Sequence, residues 1–97
     1  MKAIFISCNQ ALYDEVQQQL EKFGARGYTA WEELMGCGTA TGEPHHGSTI
    51  WPTLNSAILS FVEDEQCDPL LSALKQLDEA NPQLGLRAFW WVVGGTF

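Results

Sequence analysis

Apolar residues recur with two different spacings along the first quarter of the chain. Residues 2–8 form a short apolar run with β-branched and aromatic members, which predicts a buried strand. Asn9 can then cap a helix whose apolar residues recur at i, i+4, i+8 and i+11, namely Leu12, Val16, Leu20 and Phe23. Gly24 follows directly and predicts the end of that helix.

Three further strands are predicted in the rest of the chain. Residues 27–35 open with the β-forming side chains of a second strand, and residues 36–48 hold almost no hydrophobic residue, which indicates a loop. A third strand lies within residues 49–62, most clearly at 56–62. Residues 86–93 predict the fourth strand.

A second helix is predicted between the third and fourth strands. Asp68 and Pro69 are typical of an N-cap and a first helical position, and Asn81-Pro82 predicts the end. The apolar residues between these signals fall on one helical face and are Leu70, Leu71, Leu74 and Leu77. The acidic segment 63–65 precedes this predicted helix and is interpreted as a solvated turn that favours the helix N-terminus.

The order of these elements is βαββαβ, which predicts a single α+β domain over residues 1–97 with the split βαβ arrangement of ferredoxin-like folds. In that fold both helices cover one face of a four-stranded antiparallel sheet. In the last strand, residues 88–93 are apolar on both faces, whereas a strand with one face in solvent alternates between apolar and polar residues. We therefore expect the second face of the sheet to be buried against other subunits.

Charge and cysteine usage narrow the class of protein. Twelve acidic residues against five basic ones give a net charge of −7, which repels phosphate backbones and argues against a nucleic-acid partner. A phosphate ligand would depend on backbone N–H groups and a few cations such as Arg26 and Arg87. Three widely spaced cysteines indicate reduced thiols rather than a disulfide framework, and no apolar run reaches the ~20 residues of a membrane span. These features predict a cytoplasmic protein that is not embedded in a membrane.

Glycines are dense between residues 24 and 42, where five occur in nineteen positions: Gly24, Gly27, Gly36, Gly38 and Gly42. Glycine is used where the backbone takes a positive φ or approaches another group closely. Segments 27–29 and 36–38 could therefore place backbone N–H groups and the Thr29 hydroxyl around a phosphate or another small anion. The alternative is that these glycines only end a helix, start a strand and form a turn.

The predicted loop also holds side chains that bind metals. Cys37, His45 and His46 supply thiolate and imidazole groups, and Glu43 adds a carboxylate, a combination that suits divalent zinc, copper or nickel. The alternative is a pair of exposed loop histidines without a ligand.

The remaining candidates have structural alternatives. Four tryptophans could line an aromatic ligand pocket, or they could fill a core or a subunit interface: Trp31, Trp51, Trp90 and Trp91. Cys8 and Cys67 are interpreted as small buried hydrophobic residues. No nucleophile stands beside an evident base, so we do not predict an enzyme, although a small ferredoxin-like enzyme with a Trp-lined cavity and one histidine is a third class to consider.

Taken together, these residues resemble the PII-like family of trimeric signalling proteins. The chain carries Gly27-Tyr28-Thr29 in place of that family's Gly-x-Thr segment, and Gly36-Cys37-Gly38 with Gly42 at the base of its long exposed loop. The opening strand after Met1-Lys2 also resembles the family's first strand, and the helix end at Phe23-Gly24 resembles the end of its first helix. Residues 58–65 resemble the family's third strand and the acidic turn that follows it.

The resemblance implies a ferredoxin-like homotrimer that senses a small ligand, such as an adenine nucleotide or an anion, in clefts between subunits. The long loop, within residues 36–48 and with 39–48 as its effector part, would then act on a membrane transporter or a regulated enzyme. The ligand-binding residues implied in this way are Gly27, Tyr28, Thr29, Gly36, Gly38, Thr39 and Arg87. A second resemblance, to the metal-binding CutA group and to PII-like proteins associated with metal efflux, implies a metal site at Cys37, His45 and His46.

The chain departs from typical nitrogen-regulating members at several positions. Those members carry a basic and an amide residue after the second glycine, where this chain has Thr39 and Ala40. Residues 81–85 replace their Gly-rich basic segment before the fourth strand. The resemblance therefore implies a ligand cleft with fewer cationic side chains around phosphate than is usual in the family.

Overall fold

The apolar run at the start of the chain forms one of the two central strands of the sheet. In the computed structural model, which describes residues 1–25, 27–36 and 53–97, strand β1 spans Lys2–Asn9. A 3-10 turn over Gln10–Leu12 leads into helix α1, Tyr13–Lys22. The Asn9 side chain accepts a hydrogen bond from the backbone N–H of Ala11 at 2.8 Å, so the predicted cap is confirmed, although it caps the 3-10 turn.

The remaining elements are strand β2 at Tyr28–Gly36, strand β3 at Thr53–Val62, helix α2 at Asp64–Ala80 and strand β4 at Arg87–Val92. The strands form one antiparallel sheet in the order β2-β3-β1-β4. This confirms the predicted βαββαβ order and ferredoxin-like fold. Residues 37–52, with most of the predicted loop, lie outside the described residues.

Helix α2 begins one turn earlier than the sequence predicted. The prediction of Asp68 as N-cap is wrong because Glu63 caps the helix instead, and it forms a reciprocal capping box with Gln66. In that box the Gln66 side chain accepts a hydrogen bond from the Glu63 backbone N–H at 2.9 Å. Pro69 therefore lies inside the helix, and the helix ends at Ala80, as the Asn81-Pro82 signal predicted.

The hydrophobic core lies between the two helices and one face of the sheet. Alternate residues of β1, namely Ile4, Ile6 and Cys8, contribute to it from the centre of the sheet. Helix α1 adds Val16 and Leu20, and the predicted apolar face of α2 adds buried Leu70 and Leu74 with half-buried Leu71 and Leu77 packed against them. Both helical patterns therefore predicted the correct faces.

Gly24 ends helix α1 in a conformation that favours glycine. Its φ is 78°, its N–H donates to the carbonyl of Glu21 at 3.1 Å, and the N–H of Ala25 donates to the carbonyl of Leu20 at 2.8 Å. These two bonds form a Schellman motif, with Ala25 buried beside the helix end. A Cβ at position 24 would lie 2.9 Å from Nε2 of Gln66, which belongs to the capping box of α2.

We expect Gly24→Ala to lower the free energy of unfolding by about 1–2 kcal/mol, because the left-handed conformation strains a residue with a Cβ. Chemical denaturation of the variant and the parent measures the difference. Gly27→Ala is the matched control, since φ at Gly27 is not in the left-handed region and an added Cβ would have no neighbour within 4 Å. Equal destabilisation by the two substitutions would contradict the role assigned to Gly24.

Candidate functional site

Most of the predicted ligand residues that the structure describes lie on or next to strand β2, some at its start and one at its end. Gly27 precedes the strand, Tyr28 and Thr29 begin it, and Gly36 ends it. Nine residues of extended chain span roughly 30 Å at about 3.3 Å per residue. Gly27 and Gly36 of one chain therefore lie far apart.

The Tyr28 side chain lies on the helix side of the sheet. Its hydroxyl accepts a hydrogen bond of 2.7 Å from Nε2 of Gln17 on α1, and the same amide nitrogen lies 3.1 Å from the hydroxyl of Tyr13. Burial, followed by the nearby Glu32 carboxylate, raises the pKa of Tyr13. These contacts tie the start of β2 to α1, so the side chain of Tyr28 has a structural role within one chain.

Gly27 and Thr29 lie at the same end of the strand and are exposed. Thr29 is opposite Leu59 on the sheet face that the helices leave open. The carbonyl of Gly27 accepts a hydrogen bond of 2.9 Å from the buried hydroxyl of Ser60, whereas an added Cβ at Gly27 would meet open space. Nothing in the described chain therefore requires glycine at position 27, and a ligand or a neighbouring chain could approach the backbone there.

Arg87 lies at the start of β4, on the opposite edge of the sheet from β2. Three strand spacings separate the two edges, about 14 Å at ~4.8 Å per spacing. One guanidinium nitrogen donates to the Leu86 carbonyl at 2.6 Å and lies 3.4 Å from Oδ1 of Asp78. About half of the side chain is exposed, so Arg87 is available to an anion but not beside the β2 residues of its own chain.

The other predicted site residues fall outside the described residues. They are the ligand residues Gly38 and Thr39 and the metal ligands Cys37, His45 and His46. Among residues 1–25, 27–36 and 53–97, no three His, Cys, Asp or Glu side chains are grouped in a way that could hold a metal ion. The predicted loop metal site stays a prediction. Neither of the described α-helices combines the length and apolar character that a membrane span requires.

Two buried serines on β3 hold strand β2, and neither is among the predicted site residues. Ser60 donates to the Gly27 carbonyl, and Ser56 donates to the Glu32 carbonyl at 2.6 Å. Ser56 lies beside the β-bulge between Trp31 and Leu34, where the register of β2 and β3 shifts. Their only signal in the sequence is two serines four residues apart, which places them on the same face of a strand whose residues 57–62 are otherwise apolar.

The open face of the sheet carries large apolar side chains in rows that cross the strands. One row is Thr29, Leu59, Phe5 and Phe89, and the next contains Phe61, Ala3 and Trp91. Phe61, Phe89 and Trp91 are 52%, 58% and 48% exposed, while Ala3 and Ala57 are buried beneath such neighbours. A contiguous apolar surface of this kind is typical of an interface with another protein chain.

Trp90 and Trp91 do not favour the enzyme hypothesis. The two side chains are almost equally exposed, at 50% and 48%, and they point to opposite sides of the sheet. Trp90 lies under the Lys2 ammonium, 4.9 Å from its ring centroid, and borders an open groove of about 420 Å³ between α2 and β4. Among the described residues, Trp90 thus borders an open groove, and Trp91 lies on the open face of the sheet.

Cys8 and Cys67 are both buried free thiols, as predicted. Burial raises the pKa of Cys8 from its ordinary value near 9.0 to about 11, and burial also raises the pKa of Cys67. Each thiol is therefore kept neutral in the folded chain, which suits a packing role and not that of a nucleophile or a metal ligand.

Stability is expected to fall as the pH rises from about 9 to 11. The Cys8 thiol ionises near 9.0 in the unfolded chain but only near 11 in the folded chain, so its stabilising contribution is intact below pH 9 and is lost through this interval. Urea unfolding at pH 8, 9, 10 and 11 measures the slope. Cys8→Ala should give a shallower decline, with part of the slope left by Cys67 and Tyr13, whose pKa values are also raised by burial. An unchanged slope would contradict this assignment.

Three comparisons place the chain among known proteins. The family model for nitrogen regulatory protein P-II matches residues 1–90. A search of curated proteins found no match to the chain. Solved structures with the same fold include CPII of Thiomonas intermedia K12, a nitrogen regulatory PII-like protein bound to ADP, AMP and bicarbonate. CPII is 23% identical with a TM-score of 0.70, and the alignment covers 93% of this chain and 82% of CPII.

Two further structures give the same result. CPII bound to ADP, AMP and acetate has a TM-score of 0.72 at 21% identity, with 92% of this chain and 81% of CPII covered. A protein of Thermus thermophilus that is named as a PII-like signalling protein has a TM-score of 0.63 at 24% identity, with 95% of this chain and 88% of that protein covered. These likenesses are in the fold.

Proposed function

Because the chain belongs to the family of nitrogen regulatory protein P-II, we propose that it is a trimeric regulatory protein that senses a small ligand in clefts between its subunits. The proposed ligand is an adenine nucleotide, a small anion such as bicarbonate, or both together. The proposed output is an action of residues 39–48 on a protein partner in the cytoplasm, either a membrane transporter or a regulated enzyme.

The open face of the sheet supports assembly with other copies. Three aromatic side chains, Phe61, Phe89 and Trp91, are each about half exposed there, and the face has no helix to cover it among the described elements. At ~25 cal/mol per Å² of apolar area, burying aromatic side chains of this size is among the larger stabilising terms at an interface. Packing three such faces together removes all of them from water.

The main support for a cleft between subunits is the large distance between the predicted ligand residues within one chain. Gly27 and Gly36 lie at opposite ends of β2, and Arg87 lies on the other edge of the sheet. A single chain cannot place these groups around one small molecule. Two subunits can, if one supplies an exposed backbone segment such as Gly27–Thr29 and the other supplies the cation.

The class of ligand follows from the proposed cleft and from the relatives. CPII was solved with ADP, AMP and bicarbonate. In this chain the charge balance of −7 leaves few cations for phosphate, so backbone N–H groups at residues such as Gly27 would supply much of the contact. A ligand with few negative charges, such as AMP or bicarbonate, suits this charge balance better than a triphosphate.

Thermal unfolding with added ligand tests the proposal. We expect ADP, AMP or bicarbonate to raise the melting temperature by about 10 °C or more, because a ligand at ~100 times its Kd adds roughly 2.7 kcal/mol to the stability of the folded state. Sodium chloride at equal ionic strength is the control for bicarbonate. Gly27→Ala should keep the unliganded melting temperature and lose most of the ligand-induced rise.

Two results would count against the proposed function. If the parent protein sediments as a monomer at micromolar concentration, the intersubunit cleft does not exist. If the protein is a trimer but none of ADP, AMP, ATP and bicarbonate changes its melting temperature, the assembly stands and the ligand class is wrong.

A further inference from the structure

Segment 27–29, which the proposed function places against the ligand, begins before the β-ladder does. Gly27 precedes strand β2, and the pairing of β2 with β3 starts at Tyr28, which lies opposite Ser60. Gly27 is exposed, and a Cβ added there would have no neighbour within 4 Å. Among the described residues, neither ladder pairing nor side-chain packing therefore fixes the backbone at Gly27.

This freedom matters because the proposed ligand contacts are backbone N–H groups. Fixing the backbone of a residue costs conformational entropy, and glycine loses more of it than any other residue. When that cost is met on folding instead of on binding, the same contacts give a higher affinity. A segment that binds through its backbone therefore needs restraints from elsewhere in the fold.

Two side-chain hydrogen bonds supply such restraints. The hydroxyl of Ser60 donates to the carbonyl of Gly27 at 2.9 Å. The amide nitrogen Nε2 of Gln17 donates to the hydroxyl of Tyr28 at 2.7 Å. The first bond joins residues 33 positions apart and the second joins residues 11 positions apart, so folding brings each pair together. The two bonds hold successive residues, one through its main chain and one through its side chain.

Both bonds lie on the side of the sheet that faces the helices. Ser60 is fully buried and is opposite Ile4, a core residue of β1. Tyr28 lies opposite Ser60 in the ladder, and its side chain reaches α1. Thr29 is exposed on the open face, opposite Leu59. The restraints therefore leave free the side of the segment from which a ligand could reach the Thr29 hydroxyl.

We infer that Ser60, Gln17 and Tyr28 are positioning residues for the ligand. Their hydrogen bonds hold the backbone of segment 27–29 in its binding conformation before the ligand arrives, and their own side chains touch no ligand atom. The inference rests on the proposed function and adds to it that the affinity of the site depends on residues behind it, on the helix side of the sheet. Tyr28 contributes through the backbone that it holds, and its hydroxyl is directed away from the ligand.

Ser60→Ala and Ser56→Ala are the first matched pair of variants. Both serines are fully buried. The first variant releases the carbonyl of Gly27, and the second releases the carbonyl of Glu32 beside the β-bulge. Each change should lower stability. We expect Ser60→Ala to weaken ligand binding by about three- to tenfold, the effect of one net hydrogen bond, and Ser56→Ala to change it by less than about twofold.

Tyr28→Phe and Tyr13→Phe are the second matched pair. Both hydroxyls contact Nε2 of Gln17, at 2.7 Å for Tyr28 and 3.1 Å for Tyr13. Tyr28→Phe removes the bond that reaches β2, whereas Tyr13→Phe removes a bond within α1. We expect about three- to tenfold weaker binding for the Tyr28 variant and a change of less than about twofold for the Tyr13 variant. A purely structural role would lower stability in both pairs and leave the affinity of the folded protein unchanged.

Isothermal titration calorimetry measures the affinity, with AMP, ADP and bicarbonate as separate titrants, at a temperature where circular dichroism shows every variant to be folded. Hydrogen exchange of the backbone amides gives a readout that needs no ligand. Exchange in segment 27–29 should be faster than in the parent for the two variants that release the segment, and unchanged for the two controls.

The outcomes separate this inference from the proposed function. If the parent binds a titrant and Ser60→Ala and Tyr28→Phe bind it equally well, the inference is overturned and the proposed function stands. Equal weakening by Ser56→Ala and Ser60→Ala also overturns the inference, because the effect would then be a general loosening of β2. Weaker binding without faster exchange in segment 27–29 overturns it too, since the side chains would then act by direct contact. A parent that binds none of the titrants overturns this inference together with the proposed ligand class.

Discussion

Replacing Trp91 with glutamate is expected to convert the proposed trimer into monomers. Trp91 is about half exposed on the open face of the sheet, in the row that contains Ala3 and Phe61. A carboxylate there would have to be buried unpaired in the interface, which costs several kcal/mol for each of three subunits. The change should be complete at micromolar concentration, and sedimentation velocity measures it.

Gln76→Glu is the control for this prediction, because it places a new carboxylate on the exposed surface of α2. The Trp91 variant should also keep the far-ultraviolet circular dichroism of the parent, since the indole does not belong to the core between the helices and the sheet. If the Trp91 variant sediments as a trimer like the parent, the open face is not the surface between subunits.

Leu70→Ala is expected to lower the free energy of unfolding by about 2–5 kcal/mol, because it removes a fully buried side chain and leaves a cavity. Leu70 belongs to the core cluster, with Val16 and Leu20 of α1 among its members. For a protein of this size such a loss is a large part of the total stability. Urea denaturation measures it.

Leu71→Ala is the matched comparison, since Leu71 is the next residue on the same helix but only half-buried. Its cost should be clearly smaller, because part of its surface is already in water. Equal costs at the two positions would contradict the helical face assigned from the sequence.

Most of the fold could be predicted from the sequence because its signals are local. The spacing of Leu12, Val16 and Leu20 predicted which face of α1 is buried, and all three are buried. The predicted start of α2 is wrong because Asp68-Pro69, taken alone, is a strong signal for a helix start. The reciprocal side-chain bonds of Glu63 and Gln66 cap the helix one turn earlier, and they are specified only once the backbone geometry is known.

The candidate site could be predicted only in part. The sequence singled out Gly27, Thr29 and Gly36 through a resemblance to the PII-like family, and the family match confirms that resemblance. It did not indicate that Tyr28 is held by Gln17, nor that Arg87 lies beside Asp78. Those contacts join residues from different elements, so no local pattern contains them. The residues of the predicted metal site lie outside the described residues and stay a prediction.

The two serine hydroxyls on β3 bind only the first part of strand β2, before the β-bulge. Ser60 donates a hydrogen bond to the carbonyl of Gly27, and Ser56 donates one to the carbonyl of Glu32. The segment after the bulge, Leu34 to Gly36, is held among the described residues only by backbone pairing with β3. The side chains of Leu34 and Met35 in this segment are exposed. We therefore expect a displacement that begins at Gly36 to be taken up largely at the bulge, before the part of the strand that holds Thr29.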